Sequence, residues 1–202
     1  MYRRYEKKPD GLARMAASYR QRKLHPAAVG VYREIIGLDA ANAVRWTAEI
    51  AATHREGGQY AEAIGVYREL LKSDPTNTPQ WLWQIGVTHR DAGQWKEAIG
   101  VLRQCTNFPD NLMVMASCHR QLKQYREALL LYNQIGADEQ QAPWAALQIG
   151  MTWEEAGQKE EAIKALQQVC KRFPKSPHAS TAHARLQTVY KISVTLGGVA
   201  EE

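Results

Sequence analysis

The chain is short of most things that specify chemistry. It has three cysteines in 202 residues, Cys105, Cys118 and Cys170, with no C-x-x-C pair. That argues against a secreted disulfide framework and for a reducing compartment. No apolar run approaches the roughly 18 residues a membrane span needs, and mean hydropathy is −0.49. The start, Met1-Tyr-Arg-Arg-Tyr-Glu-Lys-Lys-Pro, has charge but no apolar stretch behind it, so it does not read as a signal peptide. Glycine (14) and proline (8) are too scarce for a disordered or collagen-like chain, and 45% hydrophobic residues suffice for a core. The sequence has no glycine-rich phosphate loop, no serine nucleophile elbow and no H-E-x-x-H spacing. An enzyme, a cofactor and a metal are therefore not expected.

The net charge of +5 is local. Residues 1–25 hold eight basic groups against Glu6 and Asp10, while the remaining residues hold 18 basic and 19 acidic groups. The chain is a basic first segment on a balanced remainder, which by bulk electrostatics does not make a nucleic-acid binder.

What the chain does have is self-similarity. Gly58-Gln-Tyr-Ala-Glu-Ala-Ile-Gly-Val-Tyr67 recurs as Gly93-Gln-Trp-Lys-Glu-Ala-Ile-Gly-Val-Leu102, as Lys123-Gln-Tyr-Arg-Glu-Ala-Leu-Leu-Leu-Tyr132 and as Gly157-Gln-Lys-Glu-Glu-Ala-Ile-Lys-Ala-Leu166. A degenerate copy is Lys23-Leu-His-Pro-Ala-Ala-Val-Gly-Val-Tyr32, and the marker alanines Ala28, Ala63, Ala98, Ala128 and Ala162 are spaced 35, 35, 30 and 34 residues apart. Such periods indicate a solenoid or array.

Each copy predicts two helical stripes around a turn. The first stripe is Leu12, Met15, Ala16, Tyr19, with counterparts ending in His54, His89, His119 and Trp153; the second pairs each marker alanine with large residues four and seven positions on. The small residue in each first stripe allows two helices to approach closely. Gly58, Gly93 and Gly157 supply permissive backbone at the turns, and Pro75, Pro109 and Pro174 punctuate the second helices.

These residues resemble the tetratricopeptide repeat (TPR) family, W-x₂-L-G-x₂-Y followed by A-x₃-F and a closing proline on a 34-residue period. The resemblance implies an all-α fold, a right-handed α-solenoid of antiparallel helix pairs with 11 helices. A basic tail at 1–8 would precede one superhelix over 9–194, with repeats at about 9–43, 44–78, 79–108, 109–142 and 143–176 and a capping helix at 178–194. Residues 195–202 would be a C-terminal tail. The short spacing before the fourth repeat reads as a trimmed loop at 107–111. Repeat one lacks the turn glycine and the closing proline.

His54, His89 and His119 occupy equivalent positions about 10 Å apart in such a stack, too far for one ion, and read as stacked or hydrogen-bonded fillers. One residue further along runs a ladder of Arg20, Arg55, Arg90 and Arg120, replaced by Glu154 in the fifth repeat. By resemblance these line a concave, peptide-receiving groove together with Trp83, Val87, Met113, Leu147 and Met151, with Trp144 near its rim. Such a groove would be basic, then apolar, then acidic, suiting a protein or peptide with acidic and apolar character. The competing reading is that Glu56 and Asp91 neutralise the ladder in inter-repeat ion pairs. The Lys/Asn clamp of the chaperone-binding subset is absent, since alanines stand at 13, 17, 48 and 52. Trp46, Trp81 and Trp95 read as packing residues.

The expected function is a non-enzymatic scaffold that binds an extended or helical segment. A self-associating array, or homo-oligomer, is the alternative, and nucleic acid or an acidic surface bound through the N-terminus a further one. Residues 165–186 are similar to a segment of bacterial envelope repeat proteins of the Tol-Pal coordinator type. A bacterial, cytoplasmic protein is expected, or a periplasmic envelope assembly factor if a signal peptide has been removed.

Overall fold

A left-handed residue ends each first helix of the repeats: Lys23, Gly58, Gly93, Lys123 and Gly157, with φ of 58°, 75°, 72°, 57° and 74°. The amide after each turns back onto the helix, as Gln59 N–H does to the His54 carbonyl at 2.9 Å, which satisfies an end carbonyl and reverses the chain. Three glycines adopt this conformation without cost, and two lysines hold it against the clash of their Cβ.

The computed structural model describes residues 8–197. The basic tail lies almost wholly outside them, as do the last five residues. Eleven α-helices run through the described residues: α1 Pro9–Gln21, α2 His25–Leu38, α3 Ala43–Glu56, α4 Tyr60–Ser73, α5 Thr78–Asp91, α6 Trp95–Leu102, α7 Asp110–Gln121, α8 Tyr125–Ile135, α9 Ala142–Glu155, α10 Lys159–Arg172 and α11 Pro177–Arg185. Consecutive helices pack as antiparallel pairs within two compact units. One ends at Thr106 and holds α1–α6; the other begins at Asn107 and holds α7–α11.

The core rests on a fixed pairing, sixteen residues apart, between the small residue of a first helix and the large one of its partner. Ala16 faces Tyr32, Ala51 Tyr67 and Ala116 Tyr132, and every one of these side chains is at most 3% exposed. In the two repeats where leucine replaces tyrosine, glycine replaces alanine. A Cβ on Gly86 would lie 2.6 Å from Leu102 Cδ2, and one on Gly150 2.8 Å from Leu166 Cδ2. A branched leucine fills the space that the flat tyrosine ring leaves, so the two positions change together.

Loop chemistry locks each repeat to the next in the first unit. Asp39 accepts from the Trp46 indole at 2.9 Å and from Asn42 at 2.9 Å. Asp74 repeats this with Trp81 at 3.1 Å and Asn77 at 2.8 Å. The two indoles stack on Tyr32 and Tyr67 at 6.2 and 6.4 Å between ring centroids. Buried hydroxyls at a third recurring register, Thr53, Thr88 and Thr152, donate back to the carbonyl four residues earlier, so each is satisfied inside its own helix.

Three expectations change. Met15, placed on a buried stripe, is 39% exposed, because no described element precedes α1 to cover it, whereas its counterparts Ile50, Ile85 and Met115 are buried. The 30-residue spacing shortens α6 to 8 residues against 14 in α4 and α7 to 12 against 14 in α5, whereas the connection at 103–109 is longer than the one at 74–77, so the missing residues come from the helices and not from a trimmed loop. The terminal helix stops at Arg185, passes into a π-turn over Leu186–Tyr190 and breaks at Lys191 (φ 59°). From there the chain returns over α10, where Gly197 N–H donates to the Cys170 carbonyl at 3.2 Å. Ala179, Ala182 and Leu186 are fully buried against Leu147, Leu166 and Val169, which gives α11 its capping role.

Candidate interaction face on the first helices

On the first helices, residues at i, i+4 and i+7 share a face, and this places the arginine ladder. Arg20 on α1 donates from Nε to Glu56 on α3 at 2.9 Å, and also bonds Glu49 and, at 3.5 Å, the Tyr32 hydroxyl. Arg55 on α3 donates to Gln84 on α5 at 2.8 Å and pairs with Asp91 at 3.3 Å. In the second unit Arg120 on α7 donates to Gln148 at 2.9 Å and to Glu155 at 3.0 Å, both on α9. Arg90 has a different arrangement: its Nε and one terminal nitrogen reach only Asp91, its own neighbour, at 2.9 and 2.7 Å. In the fifth repeat the sign reverses, and Glu154 accepts from Arg185 on α11 and from the Tyr190 hydroxyl.

The ladder is therefore mostly a set of inter-repeat ion pairs, as the competing reading held. The Glu56 carboxylate beside Arg20 is held below its usual range, and the Arg20 and Arg120 guanidinium groups are raised by their carboxylate partners Glu56 and Glu155. Within the first unit Arg20, Arg55 and Arg90 face Glu49, Glu56 and Asp91, so the face is locally balanced in charge.

The apolar candidates divide. Val87 and Leu147 are 5% and 4% exposed and belong to the core. Trp144 is half-buried and packs edge-on against Tyr132 at 5.6 Å. Met113 and Met151 are half-buried against their units' cores. Trp83 remains half-exposed on the same face of α5 as Arg90.

Between these side chains the first unit has two open clefts. One of about 280 Å³ lies between α3 and α5 and is lined by Ala48, Ala52, Arg55, Gln80 and Gln84 among others. The second, of about 310 Å³, is lined by Ala17, Arg20, Gln21 and Glu56. The alanines that exclude the chaperone clamp are what open this space.

The histidine ladder is internal and has an unanticipated partner. His54, His89 and His119 meet Gln59, Gln94 and Gln124 through Nδ1 at 2.7, 2.6 and 2.8 Å. Each glutamine stands at the N-cap of the second helix yet spends its side chain on the histidine, which ties the two helices of a repeat across their turn. The glutamines in the quoted repeat blocks carried this signal. Burial raises the thiols of Cys105 and Cys170, which makes them poor nucleophiles at neutral pH. Among the described residues no three His, Cys, Asp or Glu side chains are grouped to hold a metal ion, and no helix is long and apolar enough to cross a membrane.

Stacked antiparallel helix pairs with a small-to-large contact in every pair define a helical-repeat interaction protein. The family is the tetratricopeptide repeat family, to which the chain belongs: two models described as tetratricopeptide repeat match residues 14–78 and 144–176. A model described as anaphase-promoting complex, cyclosome, subunit 3 matches residues 56–135. No curated protein matches the chain by sequence. Among solved structures, the C-terminal part of a TPR repeat-containing protein from Cytophaga hutchinsonii is similar at a TM-score of 0.67 and 16% identity, covering 93% of this chain and 78% of that one. MamA is similar at 0.61 and 16%, over 93% and 97% of the two chains. YrrB, described as a TPR protein with an unusual peptide-binding site, is similar at 0.57 and 16%, over 88% and 93%. At these identities the likeness is one of fold. Proteins of this family act as protein-interaction scaffolds and are generally non-catalytic.

Proposed function

We propose that the first-helix face of the first unit binds an extended or helical segment of a partner protein. The observation that carries this reading is the pair of open clefts between Arg20 and Gln84, floored by Ala17, Ala48 and Ala52. Ala17 is exposed and Ala52 half-buried, and longer residues there would narrow the clefts. Exposed glutamine amides and the remaining faces of paired carboxylates offer hydrogen bonds to a peptide backbone, and the alanine floor offers apolar contact.

Arg55→Glu would break the ladder as well as the face, so filling the cleft tests the reading more cleanly. A random-peptide phage library panned on the wild-type chain is expected to enrich a defined set of sequences. Ala52→Trp, with an unchanged circular-dichroism melt, is expected to lose them. No enrichment on the wild type, or the same set on the filled variant, would overturn the reading.

A further inference from the structure

Three second helices carry a tyrosine twelve residues after a ladder arginine, at Tyr32, Tyr67 and Tyr132. In the first repeat Arg20 donates to the Tyr32 hydroxyl at 3.5 Å. In the fourth Arg120 makes the same contact to Tyr132. The second repeat differs, because Arg55 is turned to α5, giving a terminal nitrogen to Gln84 at 2.8 Å and its Nε to Asp91 at 3.3 Å. The Tyr67 hydroxyl is left with no hydrogen bond among the described residues, although the side chain is only 2% exposed and lines the cleft between α3 and α5. An unpaired hydroxyl on so buried a residue costs free energy that a ligand can recover. Burial pushes the phenol above the usual tyrosine range, so at neutral pH it is a neutral O–H that donates.

The walls of the same cleft supply the complement. Glu49 accepts from Arg20 through Oε2, and its Oε1 accepts from no group among the described residues. Gln84 accepts from Arg55 through Oε1, and its amide nitrogen has no acceptor among them. One spare acceptor therefore stands with two spare donors, on a face whose charges cancel. A cation entering the cleft meets Arg55, and a carboxylate meets Glu49 and Glu56. A neutral group with both a carbonyl and N–H bonds suits both kinds of partner.

We infer that this cleft takes the side-chain carboxamide of an asparagine or glutamine in the bound segment, its carbonyl accepting from the Tyr67 hydroxyl and its NH2 donating to Glu49. The volume of about 280 Å³ admits such a group. A hydroxyl so nearly buried is reached by a side chain that enters the cleft, not by a main chain that crosses its mouth. The inference rests on the peptide-binding reading above and adds to it the chemistry recognised at one place.

Tyr67→Phe removes the hydroxyl and nothing else. In the same phage experiment the wild type is expected to select peptides with Asn or Gln at one fixed position, and Tyr67→Phe to go on selecting peptides without that preference. The melting temperature of Tyr67→Phe should stay at or above the wild-type value, since the hydroxyl serves no internal partner. Tyr32→Phe, which removes a hydroxyl already bonded to Arg20, should keep the preference. For a selected peptide, alanine in place of its Asn or Gln should weaken wild-type binding about tenfold and Tyr67→Phe binding about threefold or less. The carboxamide pocket alone is overturned by a preference that persists on Tyr67→Phe, by a lowered melting temperature of that variant, or by wild-type peptides with a charged residue or no fixed residue at the position. It is also overturned by an equal loss on Tyr67→Phe for every peptide whatever its sequence, the mark of a main-chain carbonyl at the hydroxyl. Failure to select any peptide on the wild type overturns both readings.

Discussion

Glycine plays opposite parts on the two helices of a repeat. Gly86 sits where an added Cβ would press to 2.6 and 2.7 Å on Leu102, a side chain with no exposed surface to yield into. Gly86→Ala should therefore cost about 1–3 kcal/mol in a thermal or urea melt. Adding Leu102→Tyr, which restores the alanine–tyrosine pairing of the other repeats, should recover part of that loss. Gly30, Gly65 and Gly100 lie in second helices with nothing within 4 Å of a built Cβ. Alanine at each should add about 0.5–1 kcal/mol, measurable as a raised melting temperature. The Asp39 carboxyl shows the same dependence on surroundings: the Trp46 indole, then Asn42, hold it below the usual aspartate range. A depressed carboxyl stabilises the fold above its unfolded pKa of about 4, and that contribution is lost as pH falls through the lower folded value. Urea midpoints should decline on acidification below about pH 5, and Asp39→Asn should flatten that decline.

At the scale of the helix, the repeats are joined by apolar packing in the core and by the arginine ladder along one face. The Arg120–Glu155 pair joins α7 to α9 with side chains 15% and 45% exposed, so screening limits its worth. A double-mutant cycle with Arg120→Met and Glu155→Gln should return a coupling of about 0.5–1 kcal/mol, shrinking in added salt. Coupling that is absent at low salt would reduce this ladder to ornament on the apolar contacts. The histidine–glutamine pairs act within a repeat. Their roles could not be separated by spacing alone, because a histidine on an apolar stripe looks the same whether its partner is a metal, a ring or an amide.

For the whole chain, what matters is how each unit ends. In the second unit α11 covers Leu147, Leu166 and Val169 and leaves Ser180 and Thr181 exposed on its other side. Ending the chain at Lys175 should expose that apolar stripe, lower the melting temperature and produce association that light scattering detects as concentration rises. In the first unit the ladder's last arginine, Arg90, shares the Asp91 carboxylate with Arg55.

The sequence by itself determined the repeat: which residues are small, which are large, where the chain turns and how many helix pairs result. It could do so because a buried face repeats its spacing in every copy, and Ala51, Tyr67, Gly58 and Trp81 stand for the same positions as Ala16, Tyr32, Lys23 and Trp46. It also identified the arginine ladder but left its use open, between receiving a ligand and binding the repeats together. Tertiary structure supplied the internal partners of Arg20, Arg55 and Arg120, since an ion pair between α1 and α3 depends on distance across the stack and not on spacing along the chain. Val87 and Leu147, spaced for the exposed face, lie in the core for the same reason. Of the four arginines three are closed by neighbouring helices, and Arg90 is left with a carboxylate it must share.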